Sequence, residues 1–533
     1  MSQNSSLTGP ESTGVLFDFI VVGAGTNGLV AASYLCKSGY SVLVLERQNY
    51  IGGAAITQEL SLPGFYHDVF ATSINVWRMG PVQKDLELEK YGYKDIDPDP
   101  VASTPFKKGK ALSIYRDIKL TLKSISQFSF RDALEFQRVY DSYVEARDIL
   151  GNTLFSPPLA FSDMAATLEA SDTGLDFLQF SYMSVRDWVE ETFESDEMRA
   201  FLTLWACNHS PLSPEEPRGA LLAQGFVGSL QLMGVGVPVG GMCTLVNALR
   251  SYIEQHGGRV LVAHEVAEIL VTRERMADGV VTKQGRKFFA KNGIIANVEP
   301  KSLFLKLVPE WSLDSEFKDK VKRYRFSKVG QIMIHAALDE WLEYNPIEIR
   351  SSGMVQIGES LDEISRSYND CVIGMMPDKP FMTIDNTTWY DKSRAPSGKH
   401  IMWNYARAPV FISNRPWTED EKERFADKCI ERLSEYAPNS KKIILKRVVL
   451  SPQDIEAINP NLVNGDSGGG KPSLDQALAL RPFPNWSSYR TPIRGLYICG
   501  PATHPGGGVS GASGHNAAEA ALSDLISATK KDS

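Results

Sequence analysis

The stretch that decides the fold runs from Phe17 to Gly53, FDFIVVGAGTNGLVAASYLCKSGYSVLVLERQNYIGG. Phe17 to Val22 is an apolar run of strand length. Gly23, Gly25 and Gly28 follow as G-x-G-x-x-G, with Thr26 and Asn27 between the last two. Leu29 to Lys37 reads as helix, Gly39 ends it, and Val42 to Leu45 is a second apolar strand that stops at Glu46. Strand, glycine turn, helix, strand and acid in this order predict a βαβ dinucleotide-binding unit.

Each glycine has a physical task. Gly23 permits the tight turn, Gly25 has no side chain to hold a pyrophosphate off the backbone, and Gly28 lets the helix pack close to the sheet. The helix N-terminus offers free N–H groups to phosphates. Glu46 is placed to accept a hydrogen bond from a ribose hydroxyl. This pattern does not separate NAD from FAD. The residues that follow do: Arg47 and then Ile51-Gly52-Gly53-Ala54-Ala55. The stretch ER-x(4)-GG-A resembles the start of flavin-dependent amine oxidases and phytoene desaturases. That resemblance implies that Arg47, Gly53 and Ala54 line an FAD site.

The other end of the chain carries a second glycine turn, LYICGPATHPGGGVSGASGHNAA. Leu496 to Cys499 reads as a buried strand, Gly500 turns the chain, Pro505 to Gly511 is a glycine-rich loop and Ala512 to Ile526 is a terminal helix. This too is an anion-binding arrangement. A flavin that accepts a hydride gains negative charge at its N1–C2=O edge, and a helix N-terminus aimed there stabilises it. The stretch resembles the C-terminal flavin motif of phytoene-desaturase-like oxidoreductases. With Gly465-Asp466 and Asp475-Gln476, it is similar to the branch holding flavin-type carotenoid ketolases and the pyridine nucleotide-disulfide oxidoreductase domain-containing protein 2 group. Gly500, Val509, Ser510 and Gly511 are then implied at the isoalloxazine edge.

A middle segment completes the resemblance. Pro238-Val239-Gly240-Gly241 leads into a helix with Leu245, Leu249 and Ile253 on one face, and Gly257-Gly258 ends it. Val260 to Val262 and Val266 to Val271 follow as strands, and the resemblance implies that the backbone at Val266 meets the adenine. Gly279 to Phe289 reads as a hairpin turned at Gln284-Gly285, and Ile294 to Val298 returns to the sheet. The resemblance is strong over 17–75, 230–300 and 459–525. It is weak over the expected cap and 301–458, where substrate choice resides.

The expected architecture is α/β: a glutathione-reductase-like, Rossmann-type FAD-binding domain interleaved with an α+β substrate domain carrying a helical cap. Segments 17–99, 229–300 and 491–528 build the FAD domain. Residues 100–228 form the cap, 301–490 the substrate domain, and 1–16 a disordered tail. Helices begin at Ser129 with Asp132, at Ser184 with Asp187, and at Ser195. Their aromatics, Phe136, Tyr140, Tyr143, Trp188 and Phe193, read residue by residue as core. Asp68 reads as bonding backbone N–H groups in a turn, and His67 as structural. Gln331 to Leu338 and Met402 to Tyr405 alternate like strands of a half-exposed sheet. Thr418 with Glu421 caps a helix that puts Phe425, Cys429 and Leu433 on one side. The basic run Glu316 to Lys328 reads as a solvated helix face, with contact at an anionic membrane surface as the sharper alternative.

Composition narrows the function. A chain of 533 residues is long enough for such an interleaved pair, and a net charge of -8 argues against a nucleic-acid surface. Six scattered cysteines without C-x-x-C spacing read as reduced thiols of an intracellular protein, and no metal site is expected. Cys499, inside a strand, reads as a small hydrophobe, so FAD is expected to be held non-covalently. The first sixteen residues lack a signal-peptide core and a transit peptide's arginines, and no apolar run reaches about 18 residues. The expectation is a cytoplasmic enzyme, with peripheral membrane contact left open.

The expected reaction is hydride removal by FAD from a small apolar, isoprenoid-like molecule, with oxygen or a quinone as acceptor. No side chain reads as an obligatory base. One alternative is a flavin amine oxidase acting on a C–N bond. Another is a non-enzymatic prenyl-binding escort, which the intact glycine turns and Glu46 argue against.

Overall fold

The computed structural model describes residues 15–107 and 109–532. Most of the tail read as disordered lies outside them. Its last residues, Val15 and Leu16, open the first strand and pair with Phe288 and Phe289.

Two seven-stranded sheets organise the chain. In the first, the order is Val266–Val271, Ala277–Thr282, Lys287–Ala296, Val15–Val22, Val42–Leu45, Arg259–Leu261, and Leu496–Ile498 pairs with Lys287–Ala296. The apolar runs of the sequence are its parallel centre, buried on both faces, which is why they show no alternation. Helices Thr26–Lys37, Cys243–Gln255 and Ala512–Asp532 cover one face. The hairpin at Gln284-Gly285 is present. Its second strand does not stop but runs on as one ten-residue strand, antiparallel to Ala277–Thr282 at one end and parallel to Val15–Val22 along its length.

The opposite face of this sheet is covered by residues read as substrate domain. Leu303, Phe304, Phe317, Val321 and Tyr324 join Phe483 and Ile493 in one core beneath it. The aromatics of the basic run therefore point mostly inward, while Lys322, Arg323, Arg325 and Lys328 face solvent. No helix among the described residues is long and apolar enough to cross a membrane.

The second sheet runs Ile444–Leu450, Val329–Leu338, His400–Pro409, Met382–Asp385, Met354–Ile357, Ala102–Phe106, Lys110–Ile114. Two of its strands thus come from the segment read as a helical cap. Ile332, Ile334, Met402, Ala406, Met382 and Ile384 form an apolar face under helix Glu419–Ser434, whose Thr418–Glu421 capping box and buried Phe425, Cys429 and Leu433 are as expected. The register puts Gln331, His335, Trp403, Tyr405, Arg407, Thr383, Asp385 and Gln356 on the other face. The half-exposed expectation fails here: nearly every residue of Val329–Leu338 and all of His400–Pro409 are buried. Alternation reported polarity, not exposure, because both faces are covered.

Helices Phe130–Leu154, Val185–Thr192 and Asp196–His209 start where the sequence places them. Ser129, Ser184 and Ser195 accept from the N–H groups of Asp132, Asp187 and Met198. Phe136, Tyr143, Trp188 and Phe193 are core, as read, whereas Tyr140 is half-buried. Helices Phe161–Glu169 and Asp172–Tyr182 bury no residue at all.

Candidate active site

The two glycine turns, far apart in sequence, meet at Asn297. This residue follows strand Lys287–Ala296, and its N–H donates to Val22 O at 2.8 Å. Its carboxamide stands between the turns. A Cβ on Gly25 would lie 2.8 Å from Asn297 Nδ2, and a Cβ on Gly500 would lie 2.8 Å from Asn297 Oδ1. A Cβ on Gly53 would lie 3.0 Å from Gly25 Cα, and Gly52 bridges to Gly25. Backbone from three distant segments thus forms one cradle that side chains would fill. Asn297 was not singled out from the sequence; it lay inside the returning strand read as Ile294 to Val298, which ends at Ala296.

The helices that begin at the two turns lie side by side. Asn27 Oδ1 accepts from Gly514 N at 3.3 Å, and a Cβ on Gly511 would press on Trp77 and Val30. Gly500 N donates to Ser513 Oγ at 2.7 Å, and Ser513 Oγ is 2.6 Å from Thr503 Oγ1. Ser510 Oγ accepts from Ala512 N at 3.2 Å, holding the start of the last helix, and Val509 packs against the core beside it. Both N-termini therefore present oriented N–H groups to one region.

Glu46 is more constrained than the sequence reading allowed. It is 8% exposed; Oε2 accepts from Ala24 N at 2.8 Å and Oε1 from Gln48 N at 2.8 Å. Burial raises its pKa. Each oxygen retains a second lone-pair direction for a ribose hydroxyl. His264 N and Ala263 N donate to the carbonyls of Glu46 and Gln48 at 2.7 Å, which draws the segment leading to Val266 alongside the acid. Thr26 is buried and Arg47 is exposed. Cys499 is buried and desolvation pushes its thiol pKa up, which suits an inert side chain.

A cradle bare of side chains, two helix N-termini and a buried acid suit a dinucleotide whose diphosphate and ring system are held by opposite ends of the chain. A sequence model of the family described as flavin containing amine oxidoreductase matches residues 28–522.

The chain belongs to that family.

As a family member it is an FAD-dependent oxidoreductase, and the escort alternative is set aside. The pyridine nucleotide-disulfide oxidoreductase domain-containing protein 2 of Rattus norvegicus is 30% identical over 550 residues, covering 96% of this chain and 94% of its own length. A limonene dehydrogenase subunit of Castellaniella defragrans is 27% identical over 532 residues, covering 95% of each chain. Among solved structures, an oxidoreductase from Methanosarcina mazei superposes with a TM-score of 0.63 at 19% identity, covering 95% of this chain and 99% of its own; that likeness shows the fold. The resemblance read from the glycine turns is borne out.

The polar face of the second sheet adjoins both turns. Ile56, Trp403 and Tyr405 belong to one apolar cluster against which Ala54 packs, and the two aromatic rings meet edge-on at 5.1 Å and 72°. Trp403 Nε1 donates to Phe70 O at 3.1 Å. From the other side, Gln331 Nε2 donates to Ser467 Oγ at 3.0 Å, and a Cβ on Gly507 would lie 2.5 Å from Ser467 O. The two glycine turns therefore flank one buried face.

Asp68 is not the turn residue expected. It ends strand Tyr66–Asp68, is 1% exposed, and joins three segments. Oδ1 accepts from Thr57 Oγ1 at 2.6 Å and from Met242 N at 2.9 Å, and Oδ2 pairs with Arg394 at 2.9 Å. Beside it, Asp385 accepts from Tyr390 OH at 2.5 Å and Thr72 Oγ1 at 3.2 Å. Burial raises the Asp385 pKa to about 7 against these hydrogen bonds. His67 is structural: Ser61 Oγ lies 2.7 Å from its Nε2, its ring meets His335 edge-on at 5.5 Å, and burial lowers its pKa to about 2.

Proposed function

We propose that the enzyme removes a hydride from a small apolar, isoprenoid-like molecule, desaturating or oxidising it. The observation that carries this reading is the convergence of the two glycine turns at Asn297, in front of the buried sheet face bearing Trp403 and Tyr405. In this reading segments 17–99, 229–300 and 491–528 hold FAD, and 100–228 with 301–490 hold the substrate. Gly23, Gly25, Thr26, Asn27 and Gly28 take the diphosphate, Glu46 the ribose and Val266 the adenine. Arg47, Gly53 and Ala54 line the approach to the ring, and Gly500, Val509, Ser510 and Gly511 its edge.

FAD, when bound, supplies the hydride acceptor. The chain's residues bind, orient and keep water out. The N-terminus of helix Ala512–Asp532 stabilises negative charge at the ring edge. Trp403, Tyr405 and Met333 offer apolar contact to the substrate and exclude water. No side chain is assigned as base; a hydride loss that leaves a stabilised cation needs only a weak proton acceptor. The name of the Castellaniella relative, which carries the words limonene dehydrogenase, supports an isoprenoid substrate. Oxygen or a quinone is proposed as the acceptor, and a cytoplasmic location with transient membrane contact as the setting.

Anaerobic bleaching of the bound flavin tests this. Isoprenoid hydrocarbons and alcohols are expected to bleach it and primary amines to leave it yellow. Bleaching by amines alone, with peroxide released on admitting air, would replace this reading with amine oxidation.

A further inference from the structure

Arg394 and Arg407 are each 1% exposed, and their surroundings differ. Arg394 pairs with Asp68 at 2.9 Å and has Asp391 at 4.0 Å. Arg407 pairs with no carboxylate among the described residues. Its Nε donates to Cys207 O at 3.1 Å and its Nη2 to Asn208 O, carbonyls at the end of helix Asp196–His209. Its Nη1, which carries two N–H groups, has no partner. The negative end of a helix offsets part of the cost of burying a cation. The remaining cost is large unless an anion completes the pair.

The surroundings point to a ligand. Asn208 Oδ1 and Gln356 Oε1 are also buried and unpartnered. Asn208 Nδ2 is held by Thr383 Oγ1 at 2.7 Å, and Gln356 Nε2 lies 3.2 Å from His209 Nε2. Turning both amides by half a rotation would place an NH2 where each unpartnered oxygen now lies, with the Asn208 oxygen accepting from the Thr383 hydroxyl and the Gln356 oxygen from neutral His209. Arg407 stands opposite Gln331 in the sheet register, and Gln331 touches Ser467, which rests on Gly507. The unpaired guanidinium edge therefore belongs to the face that adjoins the second glycine turn.

We propose that Arg407 Nη1, with Asn208 and Gln356, forms a carboxylate subsite, and that the substrate is an apolar molecule ending in one carboxylate. This rests on the substrate face proposed above. A singly charged group fits better than a phosphate. Only one guanidinium nitrogen is free.

Calorimetric titration of the flavin-loaded protein with n-alkanoates of six to fourteen carbons and the matching n-alkanols tests the subsite. At the best chain length the acid is expected to bind at least about tenfold more tightly than its alcohol, the worth of one charge-assisted hydrogen bond. Arg407→Gln is expected to close that gap and Arg407→Lys to keep part of it. Equal binding of acid and alcohol at every length, or no binding of acids, overturns the subsite. So does an unchanged preference in Arg407→Gln. Should Arg407→Gln not fold, the acid–alcohol comparison on the unaltered protein still decides. Bleaching by isoprenoid alcohols without any acid preference leaves the proposed reaction standing and removes the subsite. Acid preference without bleaching by any apolar compound does the reverse.

Discussion

Gly25 and Asn297 approach so closely that a Cβ on the glycine would lie 2.8 Å from the Asn297 amide nitrogen. The first turn is thereby locked to the end of the sheet's longest strand. Gly25→Val is expected to push Asn297 away and occupy the diphosphate's space. Overpacking of this kind costs roughly 1–3 kcal/mol, which a large core can absorb. Purified Gly25→Val should be folded by circular dichroism and colourless; retained yellow colour would count against the assignment.

Removing one partner of the buried Asp68–Arg394 pair should be severe. Asp68→Asn leaves the guanidinium with the Tyr66 carbonyl on Nε at 3.1 Å and, as carboxylate within 4.0 Å among the described residues, Asp391 alone. Breaking such a pair costs about 3–5 kcal/mol. Urea unfolding should show a midpoint well below that of the unaltered protein, and a change under about 1 kcal/mol would mean the pair is not a clamp.

Asp385 makes stability depend on pH. Its folded pKa of about 7 lies above the ordinary 3.8, so between those values the folded chain holds a proton that the unfolded chain releases. Stability from this group is fully present below about pH 4, declines as pH rises to about 7, and is level beyond. The span is about 4 kcal/mol at most. Asp385→Asn keeps an acceptor for Tyr390 and removes the titration. Its stability relative to the unaltered protein should therefore rise between pH 5 and pH 8; a difference that does not change with pH would refute the assignment.

The buried histidines act on the acid side. Burial lowers the pKa of His67 to about 2, of His209 to about 3 and of His335 to about 4. The unfolded chain takes up these protons below about pH 6.5 and the folded chain does not, so stability falls as pH drops from there. His335→Phe should move the acid-unfolding midpoint to lower pH, as followed by tryptophan fluorescence. An unmoved or higher midpoint would show that His335 is protonated within the fold.

Helices Phe161–Glu169 and Asp172–Tyr182 hold no fully buried residue, Phe180 alone of their large aromatics packs on the cap core, and Phe161 and Phe177 are exposed. Phe161→Ser with Phe177→Ser should change the unfolding free energy by no more than about 0.5 kcal/mol each. Binding of a hydrophobic dye to the native protein should fall. A loss of several kcal/mol would mean that these helices are packed in solution.

Both glycine turns were legible because each is a contiguous strand–turn–helix whose glycines sit at fixed spacing. Glu46 was legible for the same reason, though not its two backbone donors. Of the second sheet only the strands read at Gln331 to Leu338 and Met402 to Tyr405 were legible, because the others come from separate short stretches scattered between Ala102 and Leu450, and burial was missed because its polar face is covered. Nothing local marks Arg407 as buried, since the carbonyls it meets belong to a helix some 200 residues earlier. Asp68 was misread because its partners Met242 and Arg394 are remote, and a short acid in a Gly/Pro-rich segment looks like a turn residue. Asn297 was overlooked because its role exists only where the two turns close on it.

Strand Leu496–Ile498 and the helix that follows it leave the ribosome long after the elements they join, yet they pair with Ile294–Ala296 and lie against helix Thr26–Lys37. Until they emerge, a nascent chain carries a raw sheet edge and a bare helix flank. In the proposed reading, loading with the prosthetic group waits for synthesis to pass this helix, because a chain ending before Leu496 lacks one of the two turns that meet at Asn297.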